Sequence, residues 1–153
     1  MYRIVTFPND AELVCFGHRT RMAARAVTRA YNSRLRPLNL QITQLSLLVA
    51  IEQDDTTSMA VLAERLDLEA SAVLRNLKIL ERRGLVTNDG GRGRRGRRSS
   101  LTAQGKAMLA AAAPLWERAQ SELTKGLRGR AEKTRAALIN LESAALRMEG
   151  SRT

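Results

Sequence analysis

The sequence predicts a mainly α-helical protein that carries one small β-hairpin. Alanine and leucine dominate its 153 residues and 3% are aromatic, a composition that favours helices over sheets. Apolar residues recur three and four positions apart through most of the chain, which is the spacing of one face of a helix. A single glycine- and arginine-rich stretch, residues 88–98, separates two short segments with strand character and is typical of a hairpin loop.

Two helices are predicted before residue 54. The first spans residues 10–36, with Asp10 as its N-cap and Pro37 as its stop. The second spans residues 41–53 and is apolar nearly all round, so we expect it to be buried. The following turn, Asp54–Thr57, could open into a very short strand.

A pair of short helices comes next. Ser58 is expected to cap the first of them, Met59–Leu66. Its inward-facing residues are predicted to be Val61, Leu62 and Leu66.

The second helix of the pair is predicted over residues 70–83, after a three-residue turn. Val73, Leu77 and Leu80 repeat on its buried side, and Gly84 stands where a left-handed C-cap is expected. Two helices joined by so short a turn form the helix-turn-helix layout.

The hairpin and two further helices complete the predicted fold. Leu85–Thr87 and Ser99–Leu101 are its strands, so the hairpin follows the helix pair as a wing. Thr102 caps an alanine-rich helix, and a last helix spans Arg130–Met148. These terminal helices have neither a sheet nor a large aromatic core to pack against within one chain. We therefore expect a homodimer in which they pair with the helices of a second copy.

Charge is distributed in blocks along the chain. The net charge is +11 with a pI near 11.3, and it is made of +6 over residues 19–36, −5 over residues 37–74 and +7 over residues 75–98. A basic block that directly follows an acidic one predicts a localised face for a polyanion such as nucleic acid.

The sequence gives little support for a disulfide-rich, membrane-spanning or secreted protein or for an enzyme. A lone cysteine excludes an internal disulfide framework, no apolar run approaches the ~20 residues that span a bilayer, and the N-terminus lacks the layout of a secretory signal. We therefore expect a soluble cytoplasmic protein. With one histidine and one cysteine, the sequence also predicts no enzyme, no metal and no cofactor. Residues 91–96 match GxGxxG, but no strand-to-helix turn surrounds them.

The helix pair, the wing and the following residues resemble the MarR family of bacterial winged-helix regulators. The likeness is most specific in Leu77-x-x-Leu80-Glu81-x-x-Gly84-Leu85-Val86 and in Leu101-Thr102-x-x-Gly105. It implies a winged helix-turn-helix with interlocked terminal dimerisation helices. Residues 10–36 and 102–148 would form the dimerisation region and residues 37–101 the DNA-binding domain. The resemblance also implies repression of genes, relieved by small aromatic acids or oxidants.

Two features depart from the family pattern. Family wings usually carry Asp-Arg-Arg where this chain has Gly93-Arg94-Arg95, so the acidic partner of a wing arginine is missing. The recognition helix begins with Glu69-Ala70-Ser71-Ala72, which offers few polar groups to read bases.

The predicted partner is a pseudo-palindromic double-stranded DNA operator. The recognition helix, residues 70–83, would enter the major groove and the wing, residues 88–98, the minor groove. The predicted DNA-binding residues are Ser58, Ser71, Arg75, Asn76, Arg92, Arg94, Arg95 and Arg97. The alternative is a basic protein that binds RNA or DNA without sequence preference through its Gly/Arg segment.

A signal site is predicted on the first helix. His18, Arg21 and Arg25 are the candidate contacts for a small aromatic acid, near where family members bind such effectors. Cys15 is the candidate redox residue, although its register differs from that of the sensing cysteine in peroxide-responsive relatives. A thiol there is also compatible with a small core residue.

Overall fold

The computed structural model describes residues 14–54, 57–89 and 98–150, without the side chain of Asp89. The helices in this part of the chain are α1 (Phe16–Leu35), α2 (Ile42–Gln53), α3 (Met59–Arg65), α4 (Ala70–Arg82), α5 (Ala103–Gly126) and α6 (Ala131–Gly150). The strands are β1 (Thr57–Ser58), β2 (Val86–Asp89) and β3 (Arg98–Leu101). The predicted fold class, mainly α with a small β wing, is confirmed.

The chain divides into two compact units, and the division falls inside α5. The first unit ends at Trp116 and the second begins at Glu117. The core of the first unit joins α2, α3, α4 and the sheet around fully buried aliphatic side chains such as Leu47, Leu48 and Ile51. The predicted burial of the second helix is thus correct for its apolar residues, except that Val49 is 39% exposed, and its polar end, Glu52 and Gln53, is exposed.

Helix α1 begins later than the sequence predicts. The backbone of Cys15 is extended, and its Sγ accepts a hydrogen bond from the backbone N–H of His18 at 3.4 Å. Cys15 is therefore the N-cap of the described helix, whereas the predicted cap, Asp10, lies outside the described residues. At the other end the helix stops before Pro37, as predicted, because proline cannot donate the next helical hydrogen bond.

A tight corner joins α1 to α2. Arg36–Leu38 form one turn of 3-10 helix, and Asn39 follows with a left-handed backbone, φ 49°. The side chain of Asn32 in α1 then accepts a hydrogen bond from the backbone N–H of Ile42 at 2.8 Å. Because this N–H belongs to the first turn of α2 and has no partner within its own helix, the contact ties the start of α2 to α1.

The turn of the helix-turn-helix closes on a left-handed aspartate. Asp67 has φ 48°, and Leu68 N–H donates to the carbonyl of Ala63 at 2.9 Å. This is the 6→1 hydrogen bond of the Schellman motif that ends many helices. One inward residue was predicted wrongly here. Val61 is 45% exposed while Leu62 is fully buried, because Val61 lies about 100° around the helix from Leu62.

The wing belongs to a three-stranded antiparallel sheet with the order β1-β3-β2. Asn88 lies opposite Ser99 in the β2–β3 pair, and Thr57 of β1 lies on the other side of Ser99. The very short strand that the sequence allowed at residue 57 therefore exists and widens the wing's base. The strand β2 begins at Val86 and not at Leu85, because Leu85 N–H donates to Leu80 and closes α4.

Two glycines fix the junction between α4, the wing and α5. Gly84 has φ +68°, which suits the left-handed C-cap predicted there. Thr102 caps α5 with its Oγ1, which accepts from Gly105 N–H at 2.9 Å and donates to the Gly84 carbonyl at 2.6 Å. A Cβ on Gly105 would lie 2.1 Å from the carbonyl oxygen of Leu85, so a larger residue fits only if the backbone shifts.

The second unit contains the end of α5 and the whole of α6. Ala119 and Ala131 are buried there, whereas Leu138, Ile139 and Met148 are 53%, 60% and 75% exposed. No helix in the described ranges is long and apolar enough to cross a membrane.

Candidate nucleic-acid interface

Helix α4 presents a basic groove to solvent. Its apolar stripe of Val73, Leu77 and Leu80 is buried in the core, so the residues on the opposite side of the helix face outward. They border a groove of about 540 Å³. The lining residues are Ser71, Leu74, Arg75, Lys78, Glu81 and Arg82.

The predicted recognition residues separate on this helix. Ser71 and Arg75 are exposed and share the groove. Asn76 is half-buried beside it, and its Nδ2 donates to the Ala72 carbonyl at 2.9 Å. One amide hydrogen of Asn76 is thus bonded within its own helix, so Asn76 is less suited to a bidentate contact with adenine.

Two cations of the groove were missed by the sequence analysis. Lys78 and Arg82 continue the line of Ser71 and Arg75 at steps of four, three and four residues. That spacing is the signal that could have found them, since it defines one face of a helix. Glu81 is the acid among the lining residues, so the groove carries a surplus of positive charge.

The base of the wing is held by a hydrogen-bonded pair of a buried serine and a half-buried asparagine. Ser99 is 1% exposed, and its hydroxyl donates to Asn88 Oδ1 at 2.6 Å across the β2–β3 pair. This hydrogen bond aligns the strands from which the wing loop extends. The predicted wing contacts Arg92, Arg94, Arg95 and Arg97 lie outside the described residues.

Ser58 is engaged as a helix cap. Its Oγ accepts a hydrogen bond from the Val61 N–H at 3.3 Å, as predicted from the sequence. The hydroxyl hydrogen does not take part in that bond, so the residue retains a donor at the start of α3.

The predicted signal residues cluster on the first turns of α1. His18 is half-buried, whereas Arg21, Arg25 and Cys15 are exposed. His18, Arg21 and Arg25 follow one another at steps of three and four and therefore share a helix face. The structure thus brings the three predicted effector contacts together, with Cys15 at the start of the same helix.

A separate apolar cavity of about 540 Å³ lies between α2 and α5 in the first unit. Ile42, Leu45 and Val49 form one wall, and Leu109 and Trp116 form another. Its volume is within the usual range of small-molecule sites, roughly 300–1,000 Å³. This cavity could not be identified from the sequence, because its walls are ordinary apolar helix stripes that only the fold brings together.

Arg65 provides the cavity with a cation. Its guanidinium donates to Asp54 Oδ2 at 3.0 Å, to the Ala50 carbonyl at 3.5 Å and to Gln53 Oε1. The side chains of Arg65 and Asp54 are both 38% exposed, and ion pairs so open to solvent contribute little to stability. Within the described residues, no group of three or more His, Cys, Asp or Glu side chains is placed to hold a metal ion.

The comparisons with known proteins agree on one family. The profile of the MarR family matches residues 38–96. None of the curated protein sequences matches this chain. The transcriptional regulator MosR of M. tuberculosis is 38% identical, with a TM-score of 0.78 over 88% of this chain and 98% of that one. A second MosR structure, in complex with DNA, is equally similar over 91% and 99% of the two chains.

More distant structures share the fold. A mutant of MarR from E. coli, complexed with operator DNA, is 23% identical, with a TM-score of 0.76 over 90% of this chain and 99% of that one. The transcriptional repressor CouR, bound to p-coumaroyl-CoA, is 23% identical, with a TM-score of 0.74 over 93% and 99%. The resemblance stated from the sequence is therefore confirmed. The chain belongs to the MarR family of winged-helix transcriptional regulators.

Proposed function

We propose that this chain is a sequence-specific DNA-binding regulator that represses its target genes and releases DNA on a small-molecule or oxidant signal. The observation that carries the proposal is the exposed basic face of α4, next to the base of the wing, in a chain 38% identical to a regulator solved with DNA. A helix of this kind fits the major groove, where its outward side chains reach base edges and phosphates.

Some of the proposed contacts read the base sequence and others bind the phosphate backbone. Arg75 suits a guanine edge and Ser71 either a base or a phosphate, while Lys78 and Arg82 suit phosphates. Arg94 is our choice for the minor groove, with the other wing arginines beside it. Ser58 and Asn76 would contact the backbone at the edges of the site. Because few polar groups read bases, we expect phosphates to supply much of the affinity.

DNA binding is tested by titrating three labelled nucleic acids at several salt concentrations. These are the upstream region of the protein's own gene, a random duplex and an RNA. Preference for the upstream duplex supports the proposal, and Arg75→Ala should reduce that preference. Arg94→Ala should lower affinity and the salt slope. Equal affinity for all three would instead favour the alternative, a nonspecific nucleic-acid-binding protein that acts through its Gly/Arg segment.

The active form is proposed to be a homodimer. Residues 10–36 and 102–148 would form the dimerisation region and residues 37–101 the DNA-binding domain. The support is the exposed apolar side chains of the terminal helices, including Phe16 at 73% and Leu146 at 59%, since large apolar side chains left in water mark interaction surfaces. Sedimentation should show a dimer that Leu138→Glu dissociates. Leu74→Glu, on the exposed face of α4, is the control that should stay dimeric.

The signal is proposed to be a small aromatic acid, and two sites compete for it. One is the α1 face with His18, Arg21 and Arg25, and the other is the cavity beside Arg65. The test is titration of the DNA complexes of the wild type, Arg25→Ala and Arg65→Gln with salicylate-like acids. The site is the one whose variant no longer releases DNA when the acid is added. Identical responses from both variants and the wild type would reject both locations.

An oxidant is the other candidate signal. Cys15 is exposed at the start of α1, so peroxide can reach its thiol. Release of DNA on peroxide treatment that is absent in Cys15→Ser would support sensing.

As a regulator of genes, the protein is proposed to work in the cytoplasm and to act by binding and not by catalysis.

A further inference from the structure

Two adjacent arginines at the end of α4 have different surroundings. Arg82 is exposed, lines the basic groove, and its Nε donates to the Lys78 carbonyl of its own helix at 3.3 Å. Arg83 is half-buried, and its guanidinium donates to the carbonyls of Leu38 at 3.0 Å and Asn39 at 2.7 Å. These carbonyls belong to the corner between α1 and α2, 44 and 45 residues earlier in the chain.

We propose that Arg83 is a positioning residue that fixes the recognition helix relative to the α1–α2 corner, and so sets the half-site spacing that a dimer accepts. It would do so without contacting DNA. The inference rests on the proposed function, because spacing has meaning only for a dimer that reads two half-sites.

The corner is a firm anchor for this contact. Asn32 of α1 holds the first turn of α2 through the Ile42 N–H at 2.8 Å. Gln41 and Gln44 add reciprocal side-chain-to-backbone hydrogen bonds at the same helix start, an arrangement that satisfies two N–H groups at once. Contacts therefore run without a break from α1, in the proposed dimerisation region, through the corner and Arg83 to α4.

Arginine is suited to this task by its shape. Its planar guanidinium presents two donors in a fixed fork, so it can hold two successive carbonyls in one orientation. Lysine has the same charge but no such fork. Arg83 is also the C-cap residue of α4, where Gly84 N–H and Leu85 N–H close the helix onto Glu81 and Leu80. The guanidinium therefore holds the end of the helix, where a small shift tilts its whole length.

The consequence for DNA concerns geometry. A dimer reads half-sites whose centres lie one helical turn of DNA apart, about 34–36 Å, or a multiple of it. A dimer whose recognition helices can tilt will bind half-sites at slightly shorter or longer spacings almost as well as at the preferred one. Loss of the Arg83 contact should therefore relax spacing preference more than it reduces general affinity.

The test compares Arg83→Gln with Arg82→Gln, two variants that remove the same charge from adjacent positions. The operator is first selected by the wild-type dimer from random duplexes, and versions with one base pair added or removed between the half-sites are then prepared. Arg83→Gln should lower the affinity for the operator roughly tenfold. It should also reduce the difference in affinity between the operator and the duplexes of altered spacing, and leave the salt dependence of the affinity unchanged. Arg82→Gln should keep the spacing preference and lower the slope by about one.

The opposite pattern overturns the inference. If Arg83→Gln lowers the salt slope while spacing preference stays, Arg83 contacts a phosphate. If the variant binds operator and altered spacings as the wild type does, the corner contact has no role in recognition. Thermal unfolding and dimer mass are measured for both variants, and if Arg83→Gln does not fold, Arg83→Lys supplies the spacing measurement. A wild-type protein that selects no operator would overturn the proposed function itself, which distinguishes the two failures.

Discussion

The recognition helix α4 and the last helix α6 use their apolar residues in opposite ways. In α4 the apolar stripe is buried by the chain itself, with Val73 and Leu80 at 0% exposure. In α6, Leu138 and Met148 remain 53% and 75% exposed. Since burial of apolar surface contributes about 25 cal/mol per Å² to stability, α4 draws its stability from its own core, whereas in the proposed dimer the same contribution for α6 would come from a second chain.

Truncating one leucine in each helix should give the largest contrast. Leu80→Ala removes a fully buried side chain and should lower the free energy of unfolding by about 2–5 kcal/mol. Leu146→Ala removes one that is 59% exposed and should instead raise the dissociation constant of the dimer. Urea unfolding and sedimentation of both variants measure these effects. A Leu80→Ala protein as stable as the wild type would contradict the core described for α4.

Glycine substitutions extend the contrast to the backbone. Gly105→Ala places a Cβ 2.1 Å from the Leu85 carbonyl oxygen, so α5 must shift away from the end of α4 at a cost of about 1–3 kcal/mol. At Gly126, in the second unit, a Cβ would meet nothing within 4 Å, and Gly126→Ala should have no effect or stabilise slightly. Urea unfolding checks both, and equal stability of the two variants would argue against the tight junction.

Local patterns were enough to predict most of the fold. The stripe of Val73, Leu77 and Leu80 and the glycine at position 84 are short-range signals with direct structural causes, and the structure follows them. The start of α1 at Phe16 could not be predicted from capping preferences alone, because its cap is Cys15 and cysteine is not among the residues that usually fill that position.

The site was predicted less completely, for a different reason. Arg82 and Arg83 are adjacent and chemically identical, yet one lines the groove and the other reaches the α1–α2 corner. The role of Arg83 depends on a contact 44 residues away, which no local pattern contains. The cavity beside Arg65 is likewise a product of packing between α2 and α5. Lys78 and Arg82 were different, since helical spacing alone could have placed them on the exposed face.

A smaller effect is expected at the base of the wing. Ser99→Ala removes the hydroxyl that donates to Asn88 Oδ1 at 2.6 Å in a buried position and should lower the free energy of unfolding by roughly 1 kcal/mol. Ser121→Ala, at an exposed position of α5, is the matched control and should change stability little. Because the pair aligns the strands that carry the wing, Ser99→Ala should also weaken operator binding, measured by fluorescence anisotropy. Unchanged stability and binding would show that backbone pairing alone aligns the strands.

The smallest effect distinguishes the exposed face of α4 from the second unit by charge alone. Lys78 lies in the basic groove of α4 and Lys125 at the end of α5, and both are exposed. Replacing either with alanine removes one positive charge from the same net total. If Lys78 contacts a phosphate, Lys78→Ala should weaken operator and random duplex several-fold alike and reduce the slope of log affinity against log salt by about one. Lys125→Ala should leave the slope unchanged. Equal slopes for both variants would mean that the overall charge of the protein, and not the exposed face of α4, determines its attraction to DNA.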